Sequence, residues 1–251
     1  MIIFVKIMKN YLLSLLAGIF FALSWPIDGL VYFIFFAFIP LFIIKENLKK
    51  ESANPAGRLM FLSFLSFLVF NVLTTYWVYF ASPFGAIAAF ILNSFFMSSV
   101  MLLFYYSDKI LGKRLGYFSL IVFWLSFEYL HLNWDLSWPW LNLGNCFSES
   151  LYLINWYEYT GALGGSMWII VLNILLYELM ILRRKRYAIF VVSFFIIPVS
   201  VSYILSNKKQ NQIKEVDVLD VVIVQPNVDP YIEKFTLSFK DQLNDFVELA
   251  R

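Results

Sequence analysis

Lys and Arg in this chain gather at alternate gaps between apolar runs, and that alternation limits the fold more than any other feature. The apolar runs cover roughly 11–25, 29–44, 59–80, 84–106, 116–131, 164–182 and 187–205. About 20 apolar residues carry a helix across the hydrocarbon core, with about 17 as the lower bound. The first, second and fifth runs are short by that measure. The first gains length if Lys6 and Lys9 snorkel while Ile2–Val5 enter the membrane. Lys6 and Lys9 precede the first run; Lys45, Lys49, Lys50 and Arg58 follow the second. Lys109, Lys113 and Arg114 follow the fourth, and Arg183, Arg184, Lys185 and Arg186 follow the sixth. The gaps after the first, third and fifth runs hold no Lys or Arg. The positive-inside bias then predicts a cytoplasmic N-terminus, and an odd number of crossings puts everything after Leu205 outside.

Composition narrows the function classes. The chain is 61% hydrophobic, 20% aromatic and 14% charged, and its 28 Phe suit lipid-facing helices. A net charge of +2 gives no sign of nucleic acid as a partner, because the basic residues serve topology and no basic surface interleaved with aromatics is present. The single cysteine, Cys146, excludes an intramolecular disulfide framework. Residues 1–25 also fit a signal peptide in part, but no small-x-small cleavage site follows and the second run starts at once. No metal site and no cofactor is expected.

The pattern changes after the seventh run. Residues 206–215 read as a polar linker. Val216–Gln225 is a β-branched run, too short for a span, which reads as a buried strand broken by Pro226-Asn227. From Ser238 to Ala250, Phe239, Leu243, Phe246, Val247 and Ala250 trace one helical face, with Ser238 and Asp241 as a helix start. A strand and an amphipathic helix open an α/β domain but cannot hide their apolar faces alone. The expectation is therefore an incomplete domain, finished by further chain or by a partner.

Residues 132–163 crowd Trp134, Trp138, Trp140, Tyr152, Trp156, Tyr157 and Tyr159 into a segment without Lys or Arg. One reading is an aromatic belt at the headgroups. The other is a partly embedded segment shaping a lipid-facing cavity. Pro139 disfavours regular helix there, and irregular backbone at membrane depth persists only where protein or a water-filled cavity shelters it. Gly144, Gly161, Gly164 and Gly165 permit tight turns or close helix contact. Glu128 and His131 stand one helical turn apart, so they can face each other as a functional pair, or Glu128 can snorkel. Asn71 and Asn93 read as interhelical hydrogen-bonding residues. Glu178 reads as the partner of Arg183. Trp77 and Tyr79 are either belt residues or the wall of an acyl-chain cavity.

Phe127-Glu128-Tyr129-Leu130-His131, then Trp138-Pro139-Trp140-Leu141, then Gly144, resemble the apolipoprotein N-acyltransferase family. Trp77-Val78-Tyr79, Pro26 with Gly29, and Val221–Asn227 with Lys234 are similar to the same family in the right order. His131 stands where that family usually has Arg, Trp138 where it has Phe, and Asn145 where Tyr is common. The His puts an anion-binding role at that position in doubt, since it is mostly neutral at pH 7.

The resemblance implies an all-α polytopic membrane bundle over 1–205, of about seven transmembrane helices. After the linker 206–215, 216–251 would begin an extracytoplasmic α/β nitrilase-like domain. It implies a multi-pass enzyme of the bacterial inner membrane that transfers an acyl chain from a phospholipid to the N-terminal amine of a diacylated lipoprotein. The chemistry would run through a Cys thioester supported by Glu and Lys. None of those three is assigned within 1–251: Cys146 matches no catalytic position, and Glu215, Glu233 and Glu248 precede any. The lipid-positioning candidates are Trp77, Tyr79, Glu128, His131, Pro139, Trp140 and Gly144. The competing classes are a transporter or channel and a non-catalytic membrane anchor. The transporter reading lacks a repeat between the halves of the span set and a matched pair of broken helices.

Overall fold

The computed structural model describes residues 2–25, 30–213, 221–228 and 236–250. Among the described residues, seven helical spans are long and apolar enough to cross a membrane: Lys6–Leu23, Val31–Lys50, Pro55–Thr75, Pro83–Leu111, Lys113–Asn133, Tyr157–Ile181 and Lys185–Lys208. The protein is thus multi-pass and helical. Span one lies in α1 (Ile2–Leu23). Span two starts as a 3₁₀ helix, Val31–Phe36, and continues as α2 (Ile39–Glu51). Then come α3 (Pro55–Thr75), a single turn α4 (Val78–Ala81), α5 (Pro83–Leu111) and α6 (Lys113–Asn133). Span six is α7 (Tyr157–Leu176) with a π-helical turn over Tyr177–Ile181, and span seven is mostly α8 (Ala188–Ile213).

The helix starts follow local chemistry. Asn54 and Ser82 each accept the backbone N–H three residues on, from Gly57 at 3.0 Å and Gly85 at 3.3 Å. Each is followed by Pro at the first helical position, where a missing N–H costs nothing. Gly112, at φ 81°, separates α5 from α6 in a conformation that a residue with a Cβ rarely adopts.

Small and polar residues fasten the helices, as expected where lipid removes the hydrophobic drive between them. α3 packs on both α1 and α5, and α5 on α6. A Cβ on Gly18 of α1 would meet the Ser66 carbonyl oxygen of α3 at 2.5 Å. Ser14 Oγ donates to Leu62 O at 2.7 Å across the same interface. Asn93 Nδ2 donates to Asn71 Oδ1 at 2.8 Å, so these two residues do join α5 to α3. Asn173 of α7 accepts from Phe38 N at 2.9 Å and donates to Ile34 O at 2.9 Å, which satisfies backbone groups at the 3₁₀-to-α2 junction. α8 is the least covered span, with 6% of its apolar window buried. Trp168 Nε1 holds it through Phe194 O at 2.6 Å, and Ser202 Oγ accepts from Asn155 N at 2.7 Å.

Several sequence expectations change. Lys45 is not a loop residue; it is buried within span two, 3.0 Å from Asp108 Oδ2 of α5, and Lys49 pairs with the same oxygen. A buried cation needs such partners, and the apolar-run boundary could not show the one on α5. Glu178 pairs not with Arg183 but with Arg184 and Lys113, each at 2.8 Å. Arg183 takes φ 54° in the turn, and the next side chain is the one that folds back. Span six starts at Tyr157, seven residues before the apolar run, and continues through a kink at Gly161 (φ 64°).

Residues 209–251 form a second unit. α8 continues to Ile213. Among the described residues no strand forms: Val221–Val228 is irregular, with Asn227 at φ 52°. A strand needs a ladder partner, and none is present among these residues. Residues 216–220, Lys234 and the Pro26/Gly29 pair lie outside the described residues. α9 (Phe239–Leu249) forms as expected, with Ser238 Oγ accepting from Asp241 N at 3.2 Å.

Candidate functional site

Alternate helix directions bring Lys45, Lys49, Lys113 and Arg184 to one end of the bundle and the aromatic segment to the other. At the aromatic end, Glu128 organises the backbone. It is 1% exposed, near the end of α6. Its Oε1 accepts from Trp124 Nε1 at 2.9 Å and from Leu143 N at 2.7 Å. The first bond joins residues four apart on one helix; the second pins the non-helical segment to α6. Oε2 has no hydrogen-bond partner among the described residues, and Ser166 Oγ lies beside the carboxyl.

Around that pin the chain makes short 3₁₀ turns, Pro139–Leu141, Leu143–Phe147 and Leu151–Leu153. Pro139 opens the first, and its carbonyl accepts from Asn142 N at 3.2 Å and Asn145 Nδ2 at 2.8 Å. Asn145 therefore ties the turn to itself. Gly144 is held from both sides: its N–H donates to Ser166 Oγ at 2.9 Å and its carbonyl accepts from Tyr157 Oη at 3.0 Å. A Cβ there would lie 2.0 Å from the Ala162 carbonyl oxygen, so only glycine allows this approach to α7.

The turn presents Trp140 outward, 56% exposed, on an ordered backbone. Trp25 Nε1 donates to its carbonyl at 3.3 Å, and the Trp77 ring meets its indole edge-on at a centroid distance of 5.8 Å. Trp77, Pro139, Trp140, Gly144 and Glu128 are thus brought together. Tyr79 is not: it is exposed, with its ring against Phe80.

His131 also stands apart from Glu128, and the two do not face each other as a pair. Nδ1 of His131 accepts from Trp134 Nε1 at 3.1 Å, which leaves the ring neutral with its proton on Nε2. Phe96 and Phe127 pack against it. The ring borders a cavity of about 300 Å³ whose lining includes Leu92, Asn93, Phe96 and Trp138. Among the described residues His131 Nε2, Asn93 Oδ1 and Trp138 Nε1 are buried without partners.

Cys146 is buried, and its thiol is pushed well above the ordinary range by burial first and by the Glu128 charge second. A thiol so held is a poor nucleophile. Among the described residues no three His, Cys, Asp or Glu side chains gather as a metal would require. Sequence reading missed Trp25, Trp124 and Ser166, and noted Tyr157 only as one of the crowded aromatics. Only Trp124 carried a signal, its four-residue spacing from Glu128; the others act across long sequence separations.

Fold and site together define a polytopic membrane protein whose aromatic end is a platform, a run of short turns pinned by a buried carboxylate. The model of the apolipoprotein N-acyltransferase N-terminal domain matches residues 17–175, which cover the end of span one, spans two to five, the platform and most of α7. The chain belongs to the apolipoprotein N-acyltransferase family. It is 27% identical over 233 residues to the apolipoprotein N-acyltransferase of Chlorobaculum tepidum, covering 89% of this chain and 42% of that protein. The chain therefore spans less than half of that relative's length. No solved structure matches it.

Proposed function

We propose that this chain is the membrane-embedded part of an enzyme that moves an acyl chain from a phospholipid to the N-terminal amine of a diacylated lipoprotein. The observation that carries the reading is the ordered, half-exposed Trp140 between Trp25 and Trp77, on a turn pinned by Glu128. An indole fixed in this way offers an acyl chain a rigid wall at little entropic cost.

The reaction is two acyl transfers. A thiolate attacks the phospholipid ester, forming a thioester as the lysophospholipid leaves and takes a proton. The lipoprotein amine then attacks the thioester, forming the amide as the thiol leaves. The nucleophile and its base lie outside 1–251; the shielded thiol of Cys146 supports that assignment. Trp77, Trp140 and Pro139 form the lipid-facing surface, Glu128 and Gly144 hold it, and Tyr79 and His131 lie outside that cluster. Residues 216–251 begin the nitrilase-like domain, a reading supported by the exposed apolar side chains Phe239, Leu243 and Phe246 of α9. The N-terminus and basic end face the cytoplasm of a bacterial inner membrane, supported by the gathering of the Lys and Arg loops at one end.

A chimera in which residues 1–205 replace the corresponding part of the C. tepidum protein tests the role of the platform. Trp140→Ala is expected to slow acyl transfer to a diacylated lipopeptide far more than Trp134→Ala, in rate as well as affinity. Equal effects of the two substitutions would reduce the segment to a membrane-interface belt.

A further inference from the structure

The basic end carries a second feature, independent of the acyl-transfer reading. Four cations there are neutralised within the protein. Lys45 lies 3.0 Å from Asp108 and 3.3 Å from Glu46, and Lys49 shares Asp108. Lys113 and Arg184 each lie 2.8 Å from Glu178. Arg114 and Arg186 are among the cations that, within the described residues, have no carboxylate in salt-bridge reach. Yet both line one cleft of about 420 Å³, together with Leu175, Tyr187 and Phe190. Arg114 comes from the first turn of α6, Leu175 from the last turn of α7, and Arg186 and Phe190 from the entry to α8.

Two guanidinium groups brought to one cleft without a counterion repel each other, and an anion between them removes that cost. Their planar forks match the paired oxygens of a phosphate. The remaining wall is apolar, with Phe190 half exposed beside Leu175. A cationic mouth above an apolar wall at a helix junction suits a lipid headgroup better than a free ion.

We propose that this cleft seats the phosphate of an anionic phospholipid, with its acyl chains against Leu175 and Phe190. The lining holds no carboxylate for a choline or ethanolamine cation, so a headgroup with net negative charge is preferred. The cleft is distinct from the acyl-transfer platform: Arg114 and Glu128 lie on one helix, about 21 Å apart at 1.5 Å per residue. A lipid held there is a structural ligand, not the acyl donor.

Native mass spectrometry of the purified chain in detergent, titrated with phosphatidylglycerol or phosphatidylcholine, tests this. Phosphatidylglycerol is expected to bind at least about tenfold more tightly than phosphatidylcholine, equivalent to about 1.4 kcal/mol. The double variant Arg114→Gln/Arg186→Gln should lose that preference, while Lys185→Gln, a neighbouring basic residue outside the lining, should keep it. All three side chains are exposed, so lipid-free melting temperatures should stay equal and report intact folding. Equal binding of the two lipids, or an equal loss in Lys185→Gln, would reduce the effect to diffuse charge and overturn the site. Inorganic phosphate that displaces phosphatidylglycerol at comparable concentration would assign the cleft to a free anion and overturn the lipid reading.

Discussion

Replacing Glu128 by Ala should unfasten the aromatic platform, and replacing it by Gln should not. Oε1 is the acceptor for two buried donors, Trp124 Nε1 at 2.9 Å and Leu143 N at 2.7 Å. Each buried donor left without an acceptor costs about 1–3 kcal/mol, so losing both costs about 2–6 kcal/mol before any cavity term. In Glu128→Gln the amide oxygen takes the place of Oε1 and keeps both bonds. The amide nitrogen takes the place of Oε2, which has no partner to lose and faces Ser166 Oγ as an acceptor. The cost of that variant should stay within about 1 kcal/mol. In a domain of this size, 1 kcal/mol moves the melting temperature by about 2–4 °C. Thermal unfolding in mild detergent, followed by Trp fluorescence, should therefore show Glu128→Ala at least about 4 °C below wild type and Glu128→Gln within about 4 °C of it. If Glu128→Ala melts like wild type, the carboxylate is not a pin. If Glu128→Gln falls as far as Glu128→Ala, the charge matters rather than the acceptor, and a proton-linked role would replace the structural one.

Two further outcomes follow from the same geometry. Gly144→Ala forces the backbone away from the Ala162 carbonyl, which a Cβ would approach to 2.0 Å, and should cost about 1–3 kcal/mol or more in the same melt. Lys185→Cys should be shielded from an impermeant thiol reagent in intact cells while Asn133→Cys, exposed at the end of α6, is labelled; the reverse pattern would invert the proposed topology.

Span number was legible because hydrocarbon imposes a length and a composition on every crossing. The α9 cap at Ser238 was legible because capping is local. What the sequence hid was long-range. Lys45 looks like a loop cation until α5 brings Asp108 to it, 63 residues away. Trp25 reaches Trp140 across 115 residues, and Asn173 reaches Ile34 across 139. No periodicity encodes such contacts. The Glu128/His131 pairing failed for the opposite reason. Helical spacing allowed the contact, but Leu143 and Trp134 offer each side chain a better partner. Of the strand expected over 216–225, the described part, 221–225, is irregular: it rested on pattern alone, and a strand without a neighbour has nothing to bond.

Acyl transfer itself is the most direct test of the central claim. A diacylated lipopeptide and phospholipid vesicles, incubated with the chimera carrying residues 1–205, should yield a lipopeptide heavier by one acyl chain in the mass spectrum. Residues 1–251 alone should leave the lipopeptide mass unchanged. A chimera that purifies as a single folded species yet leaves the lipopeptide diacylated would contradict the account, as would acylation by residues 1–251 that is lost in Cys146→Ala.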